Sequence, residues 1–296
     1  MPLVPTGDLV GRAAAARRAV AAFNVITLEH VEAVVAGAES VRAPVVLQVS
    51  ENAVKYRYGR LLPLARAAVA AAEGAAVPVA LHLDHVQSDA LLRQAADAGF
   101  GSVMYDAARL PYEENLAATR AAADWAHAQG LWIEAELGEV GGKPGQGGRA
   151  GKPLDAHAPG ARTDPAEARS FVADSGVDAL AVAVGSTHAM TTRTAALDHD
   201  LVKALAGTLD VPLVLHGSSG VPDAELAAAV AGGIAKVNVG TALNAAMTGA
   251  IREYLAARPE AVDTRGYLTV GRQAMVRTVE ELLRVVAGSE EPPATA

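Results

Sequence analysis

Short apolar, β-branched runs alternate along this chain with longer Ala-rich stretches whose apolar positions recur every three or four residues. Eight runs of the first kind can be marked: Val20–Asn24, Pro44–Ser50, Pro78–His85, Gly101–Asp106, Leu131–Glu136, Ala179–His188, Pro212–His216 and Ala235–Asn238. Between them the helical period predicts helices at Glu29–Val41, Leu61–Glu73, Asp89–Ala98, Glu113–Ala128, Pro165–Ser175 and Asp223–Ala231. Strands separated by helices are parallel and joined by crossovers. Eight such units in about 250 residues match the size of a (β/α)8 TIM barrel, whereas a doubly wound sheet of this length usually has fewer. The predicted architecture is α/β, one barrel domain over residues 1–287, with an acidic, Pro-containing tail (288–296) expected to be disordered.

The predicted strands share a polarity. Their C-terminal ends fall on Asn24, Ser50, Asp84 with His85, Asp106, Glu136, His188, His216 and Asn238. In a barrel that rim is where the βα loops converge and where active sites lie. The chain has no cysteine, which removes disulfides and thiolate ligands and leaves its eight histidines and the carboxylates as candidate metal ligands. One histidine at a strand end is ordinarily a satisfied polar residue. His85, His188 and His216, ending three different strands, can converge on one ion with an open position, as catalytic zinc requires. His82 has apolar neighbours and reads as a buried supporting residue. Asp84 reads equally well as a general acid/base or as a carboxylate orienting a histidine. Glu134 and Glu136 share a strand face; one is read as an alternate metal ligand, the other as a stabiliser of the fold. The turns Gly217-Ser218-Ser219-Gly220 and Val239-Gly240-Thr241 follow strands seven and eight, where barrels often bind phosphate on backbone N–H groups.

Charge changes the list of partners. With 25 Lys and Arg against 33 Asp and Glu, the net charge of -8 argues against nucleic acid and anionic membranes and favours a small-molecule ligand. No basic segment followed by an apolar run opens the chain, and no stretch is long enough to span a bilayer, so a cytoplasmic protein is expected. The Gly-rich loop Glu139–Gly151 is expected to be mobile without ligand and to close over it.

The motifs Ala22-Phe23-Asn24, His82-Leu83-Asp84-His85, Ser102-Val103-Met104-Tyr105-Asp106, Glu134-Ala135-Glu136-Leu137-Gly138, Pro212-Leu213-Val214-Leu215-His216-Gly217 and Lys236-Val237-Asn238-Val239 run in order along the chain. With Thr264-Arg265-Gly266-Tyr267-Leu268 near the end, they resemble the class II ketose-bisphosphate aldolases, the fructose- and tagatose-bisphosphate group, over almost the whole chain and most nearly its shorter, tagatose-like branch. The resemblance implies that His85, His188 and His216 hold a catalytic zinc, or another divalent ion, with Glu136 as alternate ligand. It implies Asp84 as the acid/base at the C4 hydroxyl, Asn24 and Ser50 lining the substrate site, and Asn238 on the dihydroxyacetone-phosphate portion. It places that portion's phosphate on Gly217, Ser219 and Thr241, and puts Arg265 on the distal phosphate of a neighbouring subunit's substrate. It further implies a homodimer or homotetramer, a phosphosugar substrate and a monovalent cation.

Five positions depart from the family pattern. Pro144 stands where relatives have a loop acid that moves the C3 proton. Ala189 replaces a glycine, Gly240 and Ala242 replace polar residues, and Asn244 stands where the fructose-specific branch has an arginine. The missing loop acid leaves an isomerase or epimerase of the same chemistry open, and also a catalytically weak phosphosugar-binding regulatory protein.

Overall fold

A computed structural model describes residues 2–138 and 161–287; the loop Glu139–Gly151, with Pro144, and the tail 288–296 lie outside them. The strands are β1 (Val20–Asn24), β2 (Val45–Ser50), β3 (Val79–Val86), β4 (Ser102–Tyr105), β5 (Trp132–Leu137), β6 (Ala179–Val182), β7 (Leu213–Leu215) and β8 (Ile234–Val239). They pair in sequence order, all parallel, and β8 returns to β1 through Val20↔Lys236 and Ala22↔Asn238. The fold is a closed (β/α)8 barrel, as the alternating pattern predicts. The helices are α1 (Thr6–Ala15), α2 (Leu28–Val41), α3 (Glu51–Tyr56), α4 (Leu62–Gly74), α5 (Asp89–Leu92), α6 (Ala95–Ala98), α7 (Tyr112–Ala128), α8 (Pro165–Ser175), α9 (His199–Thr208), α10 (Asp223–Gly232), α11 (Thr241–Ala257) and α12 (Thr264–Val286).

Alternate residues of a strand face opposite sides of the sheet. One set, with Phe23, Leu47, Leu81, Ile133 and Val237, packs outward against helix residues such as Val34, Ala68, Leu205 and Val279. The other set faces the barrel axis. At the N-terminal end of the strands Val20, Ala22, Val46 and Ala80 meet Leu9 and Val10 of α1, which closes that end. Towards the C-terminal end the same faces carry Gln48, His82, Asp84, Ser102, Glu134, Glu136, Lys236 and Asn238, all buried. The register aligns them: Gln48 stands beside His82 and His82 beside Ser102, with Ser50 beside Asp84. Charges taken out of water must be paired. The interior is therefore dry at one end and an ionic network at the other.

Two predicted elements differ. The sixth strand stops at Val182, short of His188, because the chain leaves the extended region at Gly185 (φ +116°). His188 thus reaches the site from a loop. The predicted helix Asp89–Ala98 splits into α5 and α6. Among the described residues no helix is long and apolar enough to cross a membrane.

Candidate active site

Asp84 and His85 are adjacent on β3, and on a regular strand they would face opposite ways. The pairing with β4 shifts between Leu83 and Val86, and His85 takes a left-handed backbone (φ +49°). A residue held there costs of order 1–3 kcal/mol and persists only where its surroundings fix it. At this position it lets both side chains line one cleft.

Three further elements bring ligands to His85. Its ring lies 5.3 Å from that of His188 and 4.8 Å from that of His216, centroid to centroid. Ligand atoms of His85, Glu136, His188 and His216 all lie within 4.8 Å of one another. Three imidazoles and one carboxylate, from β3, the β6 loop, the end of β7 and β5, form a donor set that suits a divalent ion such as zinc. Carboxylates hold two of the rings. His85 Nδ1 lies 2.9 Å from Asp106 Oδ2, which leaves Nε2 for the cluster. His216 Nε2 lies 2.8 Å from Glu134 Oε1 and its Nδ1 2.6 Å from Glu136 Oε2. Burial works against a charged ring at His216, but the hydrogen bonds to Glu134 and Glu136 outweigh it and push its pKa up to about 9. Glu134 is held well below the usual carboxylate range: burial opposes this, and the Lys236 ammonium and His216 overcome it. His82, against the same network, is pushed down to about 3, first by burial and then by Lys236, and stays neutral. Its Nδ1 lies 2.7 Å from Ser102 Oγ, the supporting place expected for it.

Asp84 is fixed by one oxygen. Gln48 Nε2 donates to Asn24 Oδ1 and Asn24 Nδ2 donates to Asp84 Oδ2, each at 2.9 Å. Asp84 Oδ1 is buried without a hydrogen-bond partner. Burial raises the carboxyl, but the surrounding histidines, His85 first, and Lys236 bring it below its ordinary value.

The two Gly-rich turns meet beside this cluster. Gly217 adopts φ +67°, and a Cβ there would come within 2.6 Å of the Thr187 carbonyl carbon, so glycine is required for the β7 turn to lie against the His188 loop. Ser219 Oγ accepts from the N–H groups of Gly240 (3.4 Å) and Ala242 (3.1 Å) at the start of α11. A helix start also carries a positive partial charge, which suits an anion. The cleft, about 440 Å³, is lined by Asn24, Ser50, Asp84, His85, His188, Gly217, Ser219, Asn238 and Thr241, while His216 and Glu136 are buried behind His85. Of the candidate site residues, all of them described, Arg265 alone lies elsewhere, 89% exposed and paired with Asp263 at 2.7 Å. Ala189 sits at φ +60°, which gives a steric reason for glycine at that place in relatives.

The sequence reading gave no role to Gln48, Asp106 or Lys236, the residues that aim Asn24, His85 and Glu134. Period-two alternation was a usable signal for two of them, since Gln48 and Lys236 stand two places before Ser50 and Asn238 on the same faces. At the rim, Lys55 and Arg109 line the cleft and carry the only Lys or Arg charges among its described lining residues.

The family model for fructose-bisphosphate aldolase class-II matches residues 4–291. A probable fructose-bisphosphate aldolase of Bacillus subtilis (strain 168) is 37% identical over 293 residues, 98% of this chain and 100% of that protein. The fructose-bisphosphate aldolase of Geobacillus stearothermophilus is 36% identical over 98% of each chain. Among solved structures, the YdjI aldolase of Escherichia coli K12 superposes with a TM-score of 0.82 at 30% identity, covering 98% of this chain and 100% of that one. These matches agree with the candidate ligand cluster, the carboxylate beside it and the two Gly-rich turns: the chain belongs to the class II fructose-bisphosphate aldolase family and is an aldehyde-lyase.

Proposed function

We propose that this enzyme is a zinc-dependent aldolase that cleaves or forms a ketose (bis)phosphate between C3 and C4, with dihydroxyacetone phosphate as one fragment, passing through its enediolate. One observation carries the reading: His85 and His188 of the ligand cluster, Asp84 and residues of the two Gly-rich turns line a single cleft. When bound, the metal supplies Lewis-acid stabilisation of the negative charge that develops on the ketose oxygens. The chain's own residues do the rest. The turns at Gly217, Ser219 and Thr241 hold the phosphate, which places the reacting carbons and converts remote binding into orientation. Asn238 binds the dihydroxyacetone-phosphate portion, Asn24 and Ser50 line the wall, and Asp84 takes the C4 hydroxyl proton in cleavage and returns it in condensation. A monovalent cation and a cytoplasmic setting belong to the same proposal.

The experiment is tritium exchange at C3 of dihydroxyacetone phosphate, followed by condensation with a panel of aldehydes and identification of the products. Exchange with aldehyde-dependent condensation is the expected outcome. Exchange without condensation would replace the aldolase reading with an isomerase or epimerase, and no exchange would leave a binding protein.

Arg265 enters the reading through assembly. It sits at the start of α12, exposed, and does not line its own cleft. In a homodimer or homotetramer it would reach the distal phosphate of a neighbour's substrate, where a guanidinium makes paired hydrogen bonds. Arg265→Ala is expected to raise KM for a bisphosphate ketose by about tenfold, the worth of one such contact. Exchange of dihydroxyacetone phosphate alone should change little. Equal losses in both assays, or a monomer by analytical ultracentrifugation, would remove Arg265 from the substrate site.

A further inference from the structure

Lys236 is a fully buried lysine in the barrel interior. Its Nζ lies 2.8 Å from Glu134 Oε2 and 2.8 Å from Asn238 Oδ1. An ammonium group has donors only. Both atoms facing it must therefore be acceptors, and that fixes two directions in the site. At Asn238 the oxygen is turned to Lys236, so the amide NH2 is turned away from it; that Nδ2 is buried without a partner, on a residue that lines the cleft. At Glu134, one oxygen is held by Lys236 and the other lies 2.8 Å from His216 Nε2. A carboxylate there accepts, so the Nε2 proton is retained and Nδ1 is the nitrogen offered to the ligand cluster.

We propose that Lys236 is a positioning residue with two outputs: through Glu134 it fixes which nitrogen of His216 faces the metal, and through Asn238 it presents an N–H donor to the oxygens of the dihydroxyacetone-phosphate portion. A carboxylate behind a ligating imidazole is a general device. Here one ammonium connects that device to a substrate contact, so the metal half and the substrate half of the cleft share a single buried charge. The substrate half rests on the function proposed above; the metal half does not.

The test uses the full chain, stripped of metal and reloaded with zinc. In Glu134→Gln the amide must choose an orientation, and Lys236 selects it: the carbonyl turns to the ammonium and the NH2 turns to His216 Nε2. His216 then carries its proton on Nδ1, against the metal. Zinc affinity, measured by competition with a chromophoric chelator, should fall by roughly 10–100-fold. Adding Lys236→Met removes the constraint and lets the amide reverse, so the double variant should bind zinc more tightly than Glu134→Gln alone. Losses from a purely structural ion pair would accumulate instead, and a double variant that binds zinc no better than the single one would overturn the metal half. At saturating zinc, the same double variant should show KM for dihydroxyacetone phosphate in C3 exchange raised by roughly tenfold, since Asn238 is no longer aimed. An unchanged KM would overturn the substrate half. If Glu134→Gln does not fold, the double variant decides alone, because its neutral pair leaves no unpaired charge: near-native zinc affinity with weakened exchange is the expected combination, and native values of both, or a loss of zinc binding, would overturn the proposal. Failure of the unaltered enzyme to exchange C3 protons would count against the proposed function only, while the zinc measurements would still decide the Glu134–His216 connection.

Discussion

Asp84→Ala is expected to lower C–C cleavage by roughly 10²–10⁴-fold, the usual worth of a general acid/base, while zinc content and binding of dihydroxyacetone phosphate stay near normal. On residues alone, Asp84 reads equally as a catalytic group or as a carboxylate that orients a histidine. The geometry supports the first. The place behind His85 is taken by Asp106, 2.9 Å from Nδ1, whereas Asp84 Oδ1 lies 3.9 Å from His85 Nε2, on the ring's ligand side. Asp84 is not among the clustered ligand groups. Its Oδ2 is fixed by Asn24, itself fixed by Gln48, and its Oδ1 is left bare in the cleft wall. A carboxyl held by one oxygen, ionised because its neighbours lower its pKa below the ordinary value, is arranged to accept a proton. The assay is cleavage turnover alongside metal analysis and dihydroxyacetone-phosphate binding of the same preparation. Turnover close to that of the unaltered enzyme would end the acid/base assignment; loss of zinc together with activity would restore the orienting role.

Much of this site was legible because barrel geometry translates sequence position into place. An apolar run that ends on Asn24 or Glu136 ends at the rim, whatever the details of packing, and β1 has the limits read from sequence. Partnerships between strands were not legible. Asp106 serves His85 and Lys236 serves Glu134 only because of inter-strand register, which alternation within one strand does not contain. The sixth predicted strand runs past the observed one because Ala183 and Val184 continue the apolar run beyond the ladder, and only the backbone at Gly185 shows where extension stops. Helix α11 is not among the helices marked from sequence, although Leu243, Met247, Ile251 and Leu255 recur every four residues; Gly249 within it weakens the helix signal. In α12 the glycines at 266 and 271 weaken the same signal, and close packing explains them, since a Cβ on Gly266 would meet the Tyr254 hydroxyl at 2.4 Å and one on Gly271 the Met247 side chain at 3.1 Å.

The largest expected loss belongs to the three histidines. His85→Ala, His188→Ala and His216→Ala should each reduce zinc content and cleavage together, with cleavage falling to near background, while the melting temperature of the metal-free protein changes little at the first two. The side chains of His85 and His188 line the cleft, outside the apolar clusters that hold the barrel closed. His216 is the exception for stability: removing it leaves Glu134 and Glu136 buried around a void, a cost of the kind that follows loss of one partner from a buried pair. The pKa of His216 adds a pH signature. Held at about 9, the metal-free ring carries protons on both nitrogens at neutral pH. Zinc must displace the one on Nδ1, so proton and metal compete. Apparent zinc affinity should therefore rise by up to about tenfold per pH unit from pH 7 towards 9 and level off above it, as mass action for a single displaced proton requires. Near pH 7, calorimetry in buffers of different ionisation enthalpy should show about one proton released per zinc through this group. The His216→Ala variant should lose that release along with most of the binding. Full zinc occupancy in all three variants would dismiss the triad. Intact triad behaviour with pH-independent uptake would instead mean that Glu134 and Glu136 do not hold His216 charged in the metal-free protein.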